Sequence, residues 1–201
     1  MKKEIDYFYI GDSYGGCQDW FRDIMMKKGG CAAATACDSS IYFDMHNITK
    51  GLYPYDINSI TKDDYIRFST VMKPYLRPRW MGVDTLKLYI DGFTEYIEEV
   101  KPDCSLKMEP FDGNRDVYEA KKVISEQIDN GYPIPCLILQ HKDKSLEDYI
   151  WHWFLITGYE SLEDEFMVKT ATYSEGNWVD FNNLWNTGYE RKGGLVIYKP
   201  V

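Results

Sequence analysis

Two residues far apart in the chain, Cys31 and His152, have the side chains and local settings of a thiol nucleophile and its base. Cys31 follows Gly29 and Gly30 and opens a run of small apolar residues that predicts the start of a buried helix. There the helix dipole and the unpaired first-turn N–H groups favour a thiolate and can receive an oxyanion. His152 stands in an aromatic and β-branched stretch that predicts a strand, which could bring an imidazole to the thiol.

Cys17 competes with Cys31 for the role of nucleophile, whereas Cys37 does not. Cys17 also follows a pair of glycines, but the segment after it is amphipathic and partly exposed, whereas the run after Cys31 is apolar enough to be central. Cys37 lies about 240° around the same helix from Cys31 and therefore reads as a core residue. The pattern favours Cys31.

Each of these residues also has an ordinary structural interpretation. A free cysteine at a helix start is often a small core hydrophobe, and a histidine between two tryptophans can be a core residue with satisfied hydrogen bonds. Taken alone, either residue would be read as structural. The combination of Cys31 with His152 is what favours chemistry.

Composition limits the classes of protein that the chain can be. It has 201 residues, of which 44% are hydrophobic and 16% aromatic, enough to bury a sizeable core, so a disordered chain is excluded. Its formal net charge of -9 argues against nucleic acid or an anionic membrane as the main partner. The N-terminal residues contain no apolar run after the lysines, and no stretch is apolar enough to cross a bilayer, so we predict a cytoplasmic protein without membrane insertion.

The cysteines and histidines give little support to a metal site. The five cysteines are an odd number without CxxC spacing, which indicates reduced thiols, and the three histidines form no HExxH or HxH pair. His141 lies in a polar turn where we expect it to be solvated, and His46 is expected to end the Cys31 helix. We predict no metal and no organic cofactor.

The hydrophobic pattern changes near residue 132, from helical spacing before it to strand-like alternation after it. The pattern predicts helices at roughly 18–28, 31–46, 61–76, 84–100 and 116–130, and strands at roughly 136–140, 150–159, 166–173, 178–181 and 195–199. The strands follow one another without intervening helices, which favours an antiparallel sheet. We therefore predict an α+β fold in one domain over 1–201, with a mainly helical part (1–131) and a mainly β part (132–201).

Helix ends are marked by residues that commonly form caps. Thr61 with Asp64 resembles a capping box, and Asp84 and Asp116 stand where N-caps are expected. Gly131 is placed to close the last helix.

Four sequence blocks, taken in order, resemble the papain-like cysteine peptidase fold. They are YGGCQDWF at 14–21, GGCAA at 29–33, NGYPIP at 130–135 and HWFLITGY at 152–159. The closest likeness is to the bacterial branch that contains the double-glycine leader peptidases and related proteins of Firmicutes. The blocks span most of the chain, while residues 47–115 match nothing in the family.

The resemblance implies roles for particular residues. Cys31 would attack a carbonyl carbon to form a thioester, and His152 would act as base and then protonate the leaving amine. A glutamine upstream of the nucleophile donates its amide to the oxyanion in this family, which makes Gln18 the candidate. Gln18 lies 13 positions before Cys31, farther than the family spacing, and could equally be an ordinary helix N-terminal residue.

The third catalytic member in the family, an Asn or Asp, follows the histidine by one strand and orients the imidazole. Thr170 falls at the matching position, where its hydroxyl can accept a hydrogen bond but cannot stabilise an imidazolium by charge. Thr170 is also a residue type that suits strands for structural reasons. Asp180 is a more distant substitute that would need a different strand pairing.

The resemblance implies a cysteine-dependent hydrolase that acts on a peptide or amide-containing substrate through a Cys31 thioester. An acyl-transfer enzyme would use the same dyad and differ only in what releases the thioester. The alternative is a papain-like domain that has lost catalysis and serves as a binding or scaffolding module, which the absent Asn or Asp and the many Trp and Tyr residues fit.

Overall fold

A computed structural model describes residues 1–78 and 82–199 of the chain. Within these residues seven strands form one sheet, in the order β4-β9-β5-β6-β7-β8, with β1 paired to β6, and β2 and β3 form a separate hairpin. The strands are β1 (Lys2–Glu4), β2 (Tyr9–Ile10), β3 (Ser13–Tyr14), β4 (Lys107–Asp112), β5 (Ile134–Ile138), β6 (His152–Ser161), β7 (Phe166–Thr172), β8 (Glu175–Asp180) and β9 (Gly194–Lys199).

The strand pairs of the sheet are antiparallel, which agrees with the expectation from the sequence and confirms an α+β fold. Four strands were not predicted: β1 and β4 of the large sheet, and β2 and β3 of the hairpin. All four come from the first 131 residues. β4 contains Pro110, which lacks an N–H donor and is tolerated because this strand lies at an edge of the sheet. The sheet is thus completed by segments of the mainly helical part.

The helices are α1 (Ile24–Gly29), α2 (Cys31–Met45), α3 (Lys62–Met72), α4 (Leu86–Val100), α5 (Val117–Asp129) and α6 (Phe181–Trp185). The helix predicted at 18–28 is wrong as a single element: a short 3₁₀ turn, Gln18–Trp20, precedes α1, which Asp23 begins by accepting hydrogen bonds from the amides of Met25 and Met26. In the part of the chain that the structure describes, none of the helices combines the length and apolar character of a membrane span.

Most of the predicted caps are confirmed. The Thr61 hydroxyl accepts a hydrogen bond from the Asp64 amide, Asp116 accepts one from the Tyr118 amide, and Gly131 follows α5 with a φ of +78°. Asp84 is not a cap. Thr85 begins α4 instead, by accepting from the Leu88 amide, and the Asp84 carboxylate pairs with Arg191.

Helix α2 lies at the centre of the molecule and packs against β6. Most of its side chains are buried around the full circumference, as expected of an internal helix rather than an amphipathic surface one. Its polar residues are satisfied locally, since the Ser39 and Ser40 hydroxyls donate to the carbonyls of Thr35 and Ala36. The packing of α2 on β6 brings the first turn of the helix to the first residues of the strand.

Candidate active site

Cys31 is the first residue of α2, and the preceding Gly30 gives the helix no side-chain cap. A Cβ at Gly30 would lie 2.3 Å from the carbonyl oxygen of Met26, so the close passage from α1 to α2 requires glycine here. The thiol therefore stands at an uncapped helix start, as the sequence predicts. Its side chain is nearly buried, with 9% of the residue exposed.

His152 is the first residue of β6 and is buried. The residue before it, Trp151, has a positive φ of 53°, a conformation that is unfavourable for a bulky side chain. The Trp151 amide donates to the carbonyl of Leu139, which fixes the backbone just before the strand. Strained backbone of this kind tends to occur at functional sites, where surrounding contacts hold it.

The Cys31 and His152 side chains line the same cleft, which has a volume of about 670 Å³ and is also lined by Gln18 and Trp153. They share a second, smaller cavity of about 20 Å³, which has room for a single water molecule. The hydrogen bonds among the described residues do not include one between the thiol and the imidazole. The fold thus places the two groups around one space without direct pairing.

The protonation states at this site differ from the thiolate expected at a helix start. Burial raises the pKa of the Cys31 thiol, and hydrogen bonding from the backbone amides of Trp153, Ala32 and Cys31 itself only opposes that shift. Burial also lowers the pKa of His152 to about 4. For Cys31, desolvation outweighs these hydrogen bonds, so at neutral pH the thiol and the imidazole are both uncharged and form no ion pair.

The hydroxyl group at the imidazole belongs to Thr172, not to Thr170. Nε2 of His152 lies 2.6 Å from Oγ1 of Thr172. The assignment of Thr170 is wrong because this residue pairs with Ile156, four positions beyond His152 along β6, and its hydroxyl bonds with Tyr149. Asp180 caps α6 through the Asn182 amide and does not contact the histidine.

Gln18 lines both cavities, but its amide nitrogen is already engaged. Nε2 donates to the carbonyl of Lys27 at 3.1 Å, while Oε1 is buried without a hydrogen-bond partner among the described residues. The loop that contains Gln18 does return to Cys31, as the long spacing requires. Its donor group points to the end of α1 rather than into the cleft.

The other cysteines are less suited to react with a substrate. Cys17 lines the small cavity but not the 670 Å³ cleft, and burial raises its pKa. Cys37 is fully buried, as the helical spacing predicts. All five cysteines are free thiols, and Cys31 is the one that both cavities share.

A buried carboxyl group, which the sequence analysis missed, lies beneath the site. Asp38 lines the small cavity, accepts hydrogen bonds from the Tyr7 and Tyr65 hydroxyls at 2.6 and 2.7 Å, and also accepts from the Gly16 amide. Burial raises the pKa of Asp38 to about 6. Its position seven residues after Cys31, two helical turns along the same face, was the available signal.

Tyr173 is the second residue that the sequence analysis missed. Tyr173 lines both of the cavities that Cys31 lines. The centroid of its ring lies 4.6 Å from that of the His152 imidazole, with an angle of 6° between the ring planes. No sequence motif marks it, because it belongs to the two-residue turn between β7 and β8.

The remaining histidines lie outside the site. His46 follows α2 and contacts the carbonyl of Asp6, at the end of the helix opposite Cys31. His141 was expected to be solvated, but it is buried and its ring nitrogens contact the Asn183 carbonyl and the Asp143 amide. Among residues 1–78 and 82–199, groups of three or more potential metal-ligating side chains are not found.

Comparison of the chain with known proteins finds no matching family model, no similar curated protein and no similar solved structure.

Proposed function

We propose that the protein is a cysteine-dependent hydrolase of peptide or amide bonds, with Cys31 as nucleophile and His152 as base. The observation that carries the proposal is that the thiol at the start of α2 and the imidazole at the start of β6 line one open cleft. The order of these elements, a helix with the cysteine followed by an antiparallel sheet with the histidine, supports a papain-like architecture.

The reaction begins from neutral partners. As sulfur bonds to the carbonyl carbon, the thiol proton passes to Nδ1 of His152, and the carbonyl π electrons move to oxygen. The imidazolium then protonates the leaving amine as the C–N bond breaks, which leaves a thioester on Cys31. Water, deprotonated by the same imidazole, attacks the thioester and releases the acid and the thiol. The scheme assigns the proton of the neutral imidazole to Nε2, which then donates to the Thr172 hydroxyl. Nδ1 accepts the thiol proton, although the Tyr173 hydroxyl also lies 3.4 Å from it.

The oxyanion is stabilised mainly by backbone groups in this scheme. The first-turn amides of α2 carry no side-chain cap, and they lie at the positive end of a mostly buried helix. Gln18 contributes only if its amide leaves the Lys27 carbonyl. We therefore propose that the backbone amide of Cys31 is the main donor to the oxyanion and that the Gln18 side chain is a secondary one.

A second candidate function is that of a binding or scaffolding module without catalysis. It is favoured by the raised pKa of Cys31 together with the absence of a thiol to imidazole hydrogen bond among the described contacts. The cleft would then hold a ligand without chemistry. The two functions differ in whether Cys31 becomes acylated.

The deciding experiment is acylation by p-nitrophenyl acetate, followed by intact mass and peptide mapping of the acetylated protein. A hydrolase should acetylate Cys31, turn over the thioester, and lose both steps in Cys31→Ser. Cys17→Ser is the matched control, because it also removes a thiol from the small cavity, and it should keep the activity. His152→Gln should slow acetylation of Cys31.

Two results would count against the hydrolase. Acetylation at Cys17 in place of Cys31 would move the nucleophile and overturn the assignment. Slow labelling of several thiols, unchanged in His152→Gln, would favour the binding module.

A further inference from the structure

The imidazole of His152 lies face to face with one aromatic ring. The ring centroids of His152 and Tyr173 are 4.6 Å apart with an interplanar angle of 6°, and Phe154 is also nearly parallel to the imidazole, at 6.3 Å and 18°. Stacking at this distance fixes the plane of the imidazole. The π face of a tyrosine also attracts a cation placed over it.

The Tyr173 side chain reaches this position from a strained turn. Tyr173 and Ser174 connect β7 to β8 and have φ values of 51° and 70°, the geometry of a tight hairpin turn that usually takes Asn and Gly. A tyrosine is disfavoured there, since its Cβ crowds the backbone at positive φ. The Ser174 carbonyl accepts from the Tyr14 amide, which ties the turn to β3.

The Tyr173 ring and the Thr172 hydroxyl together hold the imidazole. Thr172 contacts Nε2, and the Tyr173 hydroxyl lies 3.4 Å from Nδ1, at the long limit of a hydrogen bond. A threonine hydroxyl cannot supply the negative charge that a carboxylate would place beside an imidazolium. The site therefore has a stacked π face and no anionic partner among the described contacts of the ring nitrogens.

We propose that Tyr173 is a positioning residue for His152, whose ring holds the imidazole plane and stabilises the imidazolium that forms when Cys31 gives up its proton. This inference rests on the proposed function. In this role the Tyr173 ring replaces the carboxamide or carboxylate that orients other catalytic histidines.

Several titratable groups surround this pair. Cys31 and Asp38 face His152 from α2, and Cys17 faces it across the small cavity. The cavity beyond Thr172 and Tyr173 is lined by three carboxylates, those of Asp19, Asp148 and Glu175. Burial, with smaller contributions from Cys31, Asp19 and Asp148, raises the pKa of Tyr173 to about 12, so the phenol stays neutral wherever the enzyme would work.

The test compares Tyr173→Phe with Tyr173→Leu. Both lack the hydroxyl and both are apolar at positive φ, but only phenylalanine keeps a π face. The pKa of His152 is measured from the imidazole C–H signals in NMR titrations, with His152→Gln to assign the signal. The rate of Cys31 modification by iodoacetamide is measured on the same samples. A Tyr173→Met variant replaces Tyr173→Leu if the latter does not fold.

We expect the His152 pKa in Tyr173→Leu to be lower than in Tyr173→Phe by about half a unit, and Cys31 modification to slow about threefold. Tyr173→Phe keeps the π face but loses the hydroxyl 3.4 Å from Nδ1, so it should lie between Tyr173→Leu and the wild type in both measurements. Equal pKa values and equal rates in the two variants would overturn the proposal, as would faster modification of Cys31 in both, which would show that the tyrosine obstructs the dyad.

The failure of this inference can be told apart from the failure of the hydrolase. The His152 pKa is measured in the protein without substrate. The expected pKa difference between the two variants, without any acetylation of Cys31, would therefore support the stacking effect and contradict the hydrolase. Acetylation of Cys31 in the wild type, with equal His152 pKa values and equal modification rates in the two variants, would contradict only the role proposed for Tyr173.

Discussion

Nε2 of His152 and Oγ1 of Thr172 are 2.6 Å apart, which makes a threonine hydroxyl the hydrogen-bond partner of the imidazole. Thr172 is the last residue of β7, and His152 is the first of β6, so neighbouring strands supply the two groups at one end of the sheet.

Thr172→Val removes this contact and keeps the shape of the side chain. We expect the rate of Cys31 acetylation to fall about tenfold, since losing a hydrogen bond of about 1 to 1.5 kcal/mol in the transition state has that effect. Thr170→Val is the matched control on the same strand, because its hydroxyl bonds Tyr149 instead. It should lower the free energy of unfolding by about 1 kcal/mol and leave acetylation within about twofold. The opposite pattern would restore Thr170 as the orienting residue.

Asp38 and His152 should make opposite contributions to the pH dependence of stability. Asp38 has its pKa raised from 3.8 to about 6, so it holds a proton in the folded state that the unfolded chain has lost, and stability falls as the pH rises through this window. His152 has its pKa lowered from 6.5 to about 4, so the unfolded chain binds the extra proton and stability rises as the pH rises through 4 to 6.5. Each contribution is on the order of 3 kcal/mol.

Urea denaturation of two variants separates these contributions. In Asp38→Asn the free energy of unfolding should rise more steeply between pH 4 and 6.5 than in the wild type, because the contribution of His152 is no longer opposed by that of Asp38. In His152→Gln it should rise less steeply or fall. Differences from the wild type cancel the contributions of the other carboxyl groups. Parallel curves for all three proteins would show that neither group has a shifted pKa.

Gln18→Ala tests whether the amide side chain stabilises the oxyanion. Because Nε2 donates to the Lys27 carbonyl, we expect the rate of Cys31 acetylation to fall by less than about threefold, while loss of a working oxyanion donor reduces kcat by about 10² to 10³. A fall of that larger size would mean that the Gln18 amide turns into the cleft when substrate binds.

The two adjacent glycines before Cys31 should respond differently to alanine. Gly30→Ala would place a Cβ 2.3 Å from the Met26 carbonyl oxygen, so we expect a loss of about 1 to 3 kcal/mol in unfolding free energy and slower acetylation as the start of α2 shifts. Gly29→Ala meets only a Pro78 carbon at 3.3 Å and lies within α1, where alanine is favoured, so it should be neutral or slightly stabilising. Thermal denaturation of both variants measures this difference, and equal effects would contradict the clash at Gly30.

Local signals in the sequence were enough to predict the position of the thiol and of the imidazole. The change from helical to strand periodicity predicted α2 and β6, and both begin at or within two residues of the expected position. The caps at Thr61 and Asp116 could be predicted for the same reason, since they depend on neighbours a few residues away.

Features that depend on pairing between distant segments could not be predicted in the same way. Thr170 and Thr172 are indistinguishable in the sequence, and only the register of β7 on β6 decides which one meets His152. Strand β4 has a proline and little apolar alternation, so its place in the sheet follows from its partner β9. The charge state of Cys31 depends on how completely the fold buries it, which a helix start alone does not indicate.

The protonated state of the Cys31 thiol has a consequence for its lifetime. Peroxides attack thiolates and leave thiols largely intact, so a sulfur with a raised pKa is a poor target for oxidation to sulfenic acid. Under the proposed function, the Cys31 thiol loses its proton only while a carbonyl group is in place, and it stays reduced between substrates. Under that proposal, the same residue resists oxidation while the cleft is empty and reacts once a substrate is bound.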